Sequence, residues 1–340
     1  MSQVSGAGTQ VSVIVATYNR LDLLKRLLRQ LDVQTLDPKK FEVVVCDDGG
    51  RENVPEALAG VTFGYRLVPL RQPNAGPAAA RHKAIENAQG RVLVIVDDDM
   101  QVQPTFLEEH LKMHPLGTRR AALGRLEPDS HIADMPYFER WYAAGHKRTA
   151  DRARAGQLKL DGYSFYTGNV SLLRQDYLDI GGFDFSLRLG EDTDLGLRLE
   201  ASGVELTYTA EAVAYHASDH ASEKKWLERV HAYGVNYWKI GKKHHDVPHA
   251  NALRYLFEMN LLARPLVAST LLMPDATRPL SDAALGLTKK MWELGIGRVA
   301  HPLTSVVYTM EFMRGVRSQT GSLPDTARAI VAHFFERLRP

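Results

Sequence analysis

Hydrophobic residues in the first half of the chain alternate between short unbroken runs and helically spaced sets. Residues 11–17 (VSVIVAT) form a β-branched apolar run, and leucines recur at helical spacing over residues 21–31. Further apolar runs cover residues 41–46 and 91–96, with a helix-forming segment at 78–88 between them. Continuous apolar strands that alternate with helices predict an α/β fold whose mostly parallel sheet is buried on both faces.

The remainder of the chain has a different pattern. Residues 115–165 have weak periodicity, and we interpret them as connecting loops and helices, with a lid as one possibility. Residues 166–216 contain short elements separated by glycines. From about residue 220 to 340 the pattern is mostly helical and is interrupted by prolines. The sequence therefore predicts an α/β part followed by a mainly helical C-terminal region.

Polar residues follow each of the three apolar strands: Tyr18-Asn19, Asp47-Asp48 and Asp97-Asp98-Asp99. Ligands of such sheets bind at the carboxyl ends of the strands, so these residues should line one crevice. Side chains alternate along an extended chain, so we expect that Asp97 and Asp99 can point the same way while Asp98 points across. Three adjacent carboxylates repel one another, and oxygen ligands favour Mg²⁺ or Mn²⁺, completed by substrate phosphates. A solvated acidic turn is the alternative, but the position of the triplet after an apolar strand in an α/β pattern favours a metal-diphosphate site.

Two other acidic segments each allow two interpretations. Asp47-Asp48-Gly49 is ordinary turn chemistry, but a carboxylate here could also accept hydrogen bonds from a nucleotide base or ribose. Glu191, Asp192 and Asp194 open a helix, where acids cap the first turn and complement the dipole. The alternative makes Asp192 a general base that deprotonates an attacking hydroxyl.

Charge and composition narrow the class of protein. The net charge of +2 divides into −4 over residues 1–216 and +6 over 217–340. The basic part could face an anionic ligand or a lipid surface, or the difference could have no function. The single Cys46 cannot form an internal disulfide or a cysteine-based zinc site, which suits a reducing compartment. Residues 1–10 lack the pattern of a signal peptide, so we expect a cytoplasmic protein.

Several motifs are absent from the sequence. The turn after the first strand has no GxGxxG, which argues against a dinucleotide-dependent dehydrogenase. The chain contains no P-loop and no GxSxG elbow. The half that carries the motifs is acidic, so we expect no nucleic-acid partner.

Six motifs, in one order, resemble the family-two inverting glycosyltransferases of the GT-A fold over about residues 10–216. They are VSVIVATYNR with VVVCDDGG, NAGPAAARHKA, GRVLVIVDDDMQVQP, YTGNVSLLR, GGFD and GEDTDLGLRL. His82 stands where that family often has asparagine. The resemblance implies a flexible N-terminus (1–10), a catalytic domain (11–218) and a helical region (219–340). The catalytic domain would bind the donor through residues 11–114 and the acceptor through residues 115–218.

The resemblance also implies roles for individual residues. The nucleotide would be bound by Ala16, Tyr18, Asp48, Gly76, Arg81, Asp97 and Asp98, with Arg81 free to face the diphosphate. The metal, Mn²⁺ or Mg²⁺, would be bound by Asp99, Asp97 and His216, although His216 could instead simply end a strand. The sugar or acceptor would contact Thr167, Gly168, Asn169 and Glu191, and Asp192 would be the catalytic base.

These roles imply an inverting transfer from a nucleotide-diphosphate sugar, linked to UDP or GDP, to an acceptor hydroxyl by single displacement. The acceptor would be a saccharide, a glycolipid or a small molecule, as in polysaccharide or glycoconjugate synthesis. The helical region could pack on the catalytic domain, form a homo-oligomer or rest on the inner face of a membrane. A sugar-phosphate nucleotidyltransferase and a non-catalytic sugar-binding module are the alternatives.

Overall fold

The computed structural model describes residues 8–187, 189–216 and 222–336. They divide into two compact units: an α/β unit that contains residues 8–132 and 143–216, and a helical unit that contains residues 133–142 and 222–336. Most of the predicted N-terminal segment, residues 1–7, lies outside the described residues. The predicted domain boundary at residue 218 also falls in an undescribed stretch, 217–221, and it stays a prediction.

The α/β unit is built on one eight-stranded sheet. The strands are β1 (Val11–Thr17), β2 (Phe41–Asp47), β3 (Arg66–Arg71), β4 (Val92–Val96), β5 (Met100–Val102), β6 (Arg120–Pro128), β7 (Asn169–Leu173) and β8 (Glu205–His216). Their order in the sheet is β3-β2-β1-β4-β7-β6-β8-β5. The first four are parallel, whereas β7 runs antiparallel to both of its neighbours, so the sheet is mixed.

The described residues also form helices, some in the α/β unit and others in the helical unit. They are α1 (Leu21–Leu31), α2 (Val54–Ala57), α3 (Pro77–Glu86), α4 (Phe106–Lys112), α5 (Tyr137–Arg154), α6 (Arg174–Asp179), α7 (Glu191–Ala201), α8 (Glu223–Lys243), α9 (Arg254–Glu258), α10 (Arg264–Leu272), α11 (Arg278–Glu293), α12 (Gly297–Arg317) and α13 (Leu323–Glu336). Short 3-10 helices lie at Pro38–Lys40, Ile132–Asp134, Gly162–Ser164 and Pro248–Ala250.

Strand β1 explains why the sheet is buried on both faces. Val13 and Val15 pack into one hydrophobic cluster with the leucines of α1, while Ile14 packs into a second cluster with the alanines of α3. Side chains alternate along a strand, so an unbroken apolar run supplies both layers. The predicted α/β class with a mainly helical C-terminal region is confirmed.

Two strands lie where the sequence pattern gave no clear signal. The β3 strand contains Pro69 and is only partly buried, because it lies at the edge of the sheet, where a missing amide donor is tolerated. The β6 strand is interrupted by polar residues and changes register between Gly124 and Arg125. Residues 115–165 are therefore more than the connecting loops and helices that we expected.

The helical unit has its own core. Val230 from α8, Val267 from α10 and Met313 from α12 are fully buried there. The α8 and α12 backbones approach closely at Gly234 and Gly315, where any Cβ atom would overlap a carbonyl oxygen of the facing helix. Trp226, Tyr233, Tyr237 and Trp238 pack against this core. Among the described residues, no helix is both long enough and apolar enough to cross a membrane.

Candidate functional site

Parallel pairing brings the acidic strand ends together. In register, Thr17 at the end of β1 lies beside Asp47 at the end of β2. The Thr17 hydroxyl donates a hydrogen bond of 2.7 Å to Asp98 Oδ2, which links the β1 end to the segment after β4. The crevice predicted at the carboxyl ends of the strands therefore has acids from β2 and β4 on either side of β1.

The aspartate triplet forms a turn rather than an extended strand. Asp98 and Asp99 are nearly buried, and both accept from the Arg20 guanidinium: Nη1 lies 2.9 Å from Asp99 Oδ2 and 3.3 Å from Asp98 Oδ1. Asp97 instead accepts from Arg81. The prediction that Asp97 and Asp99 point the same way is wrong, because alternation of side chains requires an extended backbone and the chain turns at residues 98 and 99.

The two buried aspartates differ in acidity. Burial raises the pKa of Asp98 to about 6, with the Asp99 charge adding to the shift and Thr17 opposing it. Burial also acts against ionisation of Asp99, but hydrogen bonding and charge from His216, together with Arg20, hold its pKa below the usual value. One carboxylate of the pair is therefore ionised throughout the neutral range.

Arg81 connects two acidic segments from opposite sides of the site. It is buried on α3, and its guanidinium contacts Asp97 Oδ1 at 2.6 Å and Glu191 Oε1 at 3.4 Å. Despite burial, these carboxylates raise the pKa of Arg81 above its ordinary value. Arg81 is thus already engaged by two acids, in contrast to the expectation that it is free to face a diphosphate.

Asp192 lies in the first turn of α7, which Gly190 opens in a left-handed conformation at φ 79°. Its Oδ1 accepts from the Thr193 amide at 2.8 Å, and the side chain is partly buried. Burial and the neighbouring Glu191 raise the pKa of Asp192 to about 7, against the opposing charge of Arg81. A carboxyl with a pKa near neutrality can both take and release a proton at physiological pH.

The acids at the end of β2 bind the backbone of nearby loops. Asp47 is buried and accepts from the amides of Gly50 (2.9 Å) and Val54 (3.3 Å). Asp48 accepts from Gln72 at 2.8 Å and from two backbone amides, including Gly76 at 2.9 Å. A carboxylate offers about four lone-pair sites, so Asp48 retains about one for a further donor such as a base.

Ala16 and Tyr18, the other predicted nucleotide contacts, lie at the end of β1. Ala16 pairs in register with Cys46 of β2 and is partly buried. The Tyr18 ring is 49% exposed. Asn19, in the left-handed region at φ 57°, accepts from the amide of Arg51 at 2.7 Å and fixes this turn. An exposed aromatic ring on a fixed turn can stack on a base.

The three neighbouring residues predicted to contact sugar or acceptor, at the start of β7, differ in their surroundings. Thr167 is buried, and a Cβ atom on Gly168 would lie 3.2 Å from Asp97 Oδ2, so Gly168 lets the chain pass close to the triplet. Asn169 is fully buried: its Nδ2 donates to the carbonyls of Arg125 and Ala212, and its Oδ1 is 2.8 Å from His110 Nε2. The prediction that Asn169 contacts sugar or acceptor is wrong for its side chain, because all of its polar groups are engaged inside the protein.

His216 ends β8 and pairs in register with Met100 of β5, directly after the triplet. Its Nε2 lies 3.6 Å from Asp99 Oδ2. His146 on α5 is a further histidine in this region: burial and the charge of His216 lower its pKa to about 4. His82 is 2.8 Å from the Tyr177 hydroxyl and packs against Phe185, so its contacts lie with α6 and the loop after it.

The donor set at the triplet fits a divalent cation that substrate oxygens complete. Asp99 Oδ1 is buried and has no hydrogen-bond partner among the described residues, and a buried carboxylate oxygen in that state suits a cation. Within the described ranges no three acidic, histidine or cysteine side chains form a ready-made metal cluster. Carboxylates that bind Mg²⁺ or Mn²⁺ together with phosphates need no such cluster.

Arg20 and His146 had no role assigned from the sequence. Arg20 follows Tyr18-Asn19 at the end of a predicted strand. A basic residue at the same edge of the sheet as the predicted acids could have been predicted to pair with them. His146 had none, because it lies in a polar helix far along the chain from the triplet.

Comparison with known proteins decides the family. Residues 12–180 match the family described as "Glycosyl transferase family 2". This part of the chain belongs to glycosyl transferase family 2. The fold agrees: the structure of a mannosyltransferase from Pyrobaculum calidifontis, in complex with GDP-Man and Mn²⁺, superposes with a TM-score of 0.63 at 20% identity, covering 88% of this chain and 86% of that one. The eight-stranded sheet with its flanking helices is a GT-A fold.

Sequence relatives carry glycosyltransferase names. The chain is similar to a validoxylamine A glucosyltransferase of Streptomyces hygroscopicus subsp. limoneus, at 29% identity over 229 residues, which cover 59% of this chain and 50% of the relative. It also resembles an uncharacterized glycosyltransferase, YfnE of Bacillus subtilis, at 26% identity, with 66% and 68% covered. The chain thus matches about half the length of the Streptomyces relative.

Proposed function

We propose that this family 2 protein transfers a sugar from a nucleotide-diphosphate donor, linked to UDP or GDP, to an acceptor hydroxyl by metal-assisted single displacement with inversion. The observation that carries the proposal is the double engagement of Arg81. Asp97 after β4 and Glu191 on α7 contact the same buried guanidinium of Arg81. The candidate base Asp192 is therefore close enough to the triplet for the charge of Asp97 to raise its pKa. An acid poised near neutrality beside a phosphate-metal site suits this chemistry.

The residues of the chain divide the work between donor and acceptor. Tyr18 stacks on the base, Asp48 accepts from it, and Arg81 exchanges part of its carboxylate contact for the diphosphate. Asp97, Asp98, Asp99 and His216 would hold a divalent cation, which would supply positive charge to the leaving diphosphate. Thr167, Gly168 and Glu191 border the sugar and acceptor.

Asp192 acts as the general base. Its carboxylate accepts the proton of the acceptor hydroxyl while that oxygen forms a bond to the anomeric carbon, and the bond from that carbon to the diphosphate oxygen breaks on the opposite face. One displacement inverts the anomeric centre. The raised pKa of Asp192 makes its carboxylate a stronger base than an ordinary aspartate.

The names of similar proteins indicate which nucleotide sugars to test first as donors. The Pyrobaculum structure holds GDP-Man with Mn²⁺, and the Streptomyces relatives are named glucosyltransferases. A hexose on GDP or UDP is therefore the first class to test, with a saccharide, glycolipid or small-molecule acceptor. Four expectations stay predictions: a domain boundary at residue 218, self-association, a cytoplasmic location and peripheral membrane contact of the helical region.

The two alternative functions account for the site less well than glycosyl transfer does. A sugar-phosphate nucleotidyltransferase would use a Gly-rich basic phosphate loop after β1, and the Ala16–Arg20 segment contains no glycine. A non-catalytic sugar-binding module would need no carboxyl poised near neutrality.

A screen of nucleotide sugars tests the proposal directly. UDP- and GDP-hexoses are incubated with the full chain, with Mn²⁺ or with EDTA, and released nucleoside diphosphate is measured. We expect Mn²⁺-dependent release from one donor and its loss in Asp192→Asn. The control is Asp179→Asn, which removes an exposed carboxylate on α6 that accepts a hydrogen bond from Gln175. Release from no donor, or equal release by both variants, would contradict the proposal.

A further inference from the structure

Arg20 holds the same two carboxylates that a divalent cation would need. It lies between β1 and α1, and one nitrogen, Nη1, contacts Asp99 Oδ2 at 2.9 Å and Asp98 Oδ1 at 3.3 Å. The Arg20 side chain is 28% exposed, whereas those of Asp98 and Asp99 are 6% and 7% exposed. The guanidinium therefore covers two nearly buried carboxylates from the solvent side.

The carboxylate oxygens of Asp98 and Asp99 differ in their partners. Asp98 Oδ2 accepts from the Thr17 hydroxyl, and the Asp99 Oδ2 that Arg20 contacts also lies 3.6 Å from His216 Nε2. Divalent ions such as Mg²⁺ bind oxygen at about 2.0–2.1 Å. Asp99 Oδ1 has no hydrogen-bond partner in the part of the chain that the structure describes, and it belongs to the same carboxylate as the Oδ2 that Arg20 contacts. An ion held by this carboxylate would therefore be repelled by the Arg20 guanidinium.

We propose that Arg20 is the exchangeable counter-ion of Asp98 and Asp99: it neutralises the pair in the absence of metal and leaves it when a divalent cation binds. The inference rests on the proposed function, because it assumes that the triplet takes a metal. A diphosphate that enters with the metal offers Arg20 new oxygens to contact. Arg20 thus couples metal binding to nucleotide binding, since it weakens the metal site until the diphosphate arrives.

Arg26 provides a matched control. It lies on α1, and its Nη2 donates to the backbone carbonyl of Asp99 at 3.1 Å rather than to a carboxylate of the triplet. Arg26→Gln and Arg20→Gln each remove one positive charge near Asp99. Only Arg20→Gln clears the position between the two carboxylate oxygens.

Electron paramagnetic resonance of free Mn²⁺ measures the competition without any activity assay. We titrate four proteins with Mn²⁺ in the absence of nucleotide: the wild type, Arg20→Gln, Arg20→Lys and Arg26→Gln. Because the competing positive charge is removed, Arg20→Gln should bind Mn²⁺ about tenfold more tightly than wild type, which is about 1.4 kcal/mol. We expect Arg26→Gln to stay within about twofold of wild type, because general charge effects are screened by salt.

Three results would overturn the inference: unchanged or weaker Mn²⁺ binding by Arg20→Gln, equal tightening by Arg26→Gln, or no Mn²⁺ binding by Arg20→Gln. Circular dichroism establishes that each variant folds. If Arg20→Gln does not fold, Arg20→Lys decides, because its ammonium is a point charge without the planar guanidinium. It should then bind Mn²⁺ at least about twofold more tightly than wild type, about 0.4 kcal/mol, and wild-type affinity would overturn the inference. Calorimetry of UDP and GDP binding to wild type tests the proposed function separately.

Discussion

Replacing Asp192 by asparagine isolates the energetic cost of keeping a carboxylate at the start of α7. In the unfolded chain, an aspartate has a pKa near 3.9. In the folded protein, burial and Glu191 raise the pKa of Asp192 to about 7. The folded state therefore binds more protons than the unfolded state between these values, and ionisation of Asp192 destabilises it progressively as pH rises from about 4 to 7.

The magnitude follows from the shift. About three pKa units correspond to about 4 kcal/mol, and because Asp192 retains some solvent contact we discount this to about 2 kcal/mol. The asparagine side chain of the variant keeps an oxygen that can accept from the Thr193 amide but carries no charge. We therefore expect Asp192→Asn to be more stable than wild type by about 2 kcal/mol at pH 8, and by less than about 1 kcal/mol at pH 4.5.

Urea denaturation of wild type and Asp192→Asn at the two pH values measures the difference, with Asp179→Asn as the control at an exposed site. The α/β unit should carry the change, so circular dichroism of the whole chain is combined with a probe placed on α7. A gain that is the same at both pH values would refute the pKa argument. A variant less stable than wild type at pH 8 would refute the claim that the carboxylate is held at a cost.

Further predictions follow from the same contacts. The value of kcat/KM for transfer should fall below pH 7, to about a tenth at pH 6, because Asp192 is then mostly protonated, and a flat profile from pH 5 to 8 would contradict this. Glu191→Gln should move that limb to lower pH, since it removes a charge that raises the pKa of Asp192. Gly168→Ala should weaken Mn²⁺-dependent nucleotide affinity measured by calorimetry, because its Cβ would crowd Asp97. In the helical unit, Gly234→Ala should lower the free energy of unfolding, measured by urea denaturation, by about 1–3 kcal/mol. Gly286→Ala, whose Cβ atom meets open space on α11, should raise it by about 0.5–1 kcal/mol.

The sheet was predictable where burial is complete. The runs at 11–17, 41–46 and 91–96 are apolar because both faces of β1, β2 and β4 are covered, and their ends agree with the structure to within a residue. The edge strand β3 and the irregular β6 carry weaker patterns, because one is partly exposed and the other contains a register shift. Tertiary pairing, which no local pattern contains, selects them as strands.

Residue types in the site were predictable, but their partners were not. The acids at the strand ends follow from topology, which brings carboxyl ends of parallel strands to one edge. The buried position of Asn169 depends on His110 and on two carbonyls from β6 and β8, all distant in sequence. The Arg20 contact depends on a turn in the triplet that alternation of side chains did not anticipate.

Calorimetric titration of UDP and GDP into the full chain tests the central claim most directly. With Mn²⁺ present, we expect one of the two nucleotides to bind, and we expect binding to weaken strongly in EDTA and in Asp99→Asn. Asp192→Asn should retain the wild-type affinity, because that carboxylate acts on the acceptor. If neither nucleotide binds in the presence or absence of Mn²⁺, the assignment of a nucleotide-sugar site to these strand ends is contradicted.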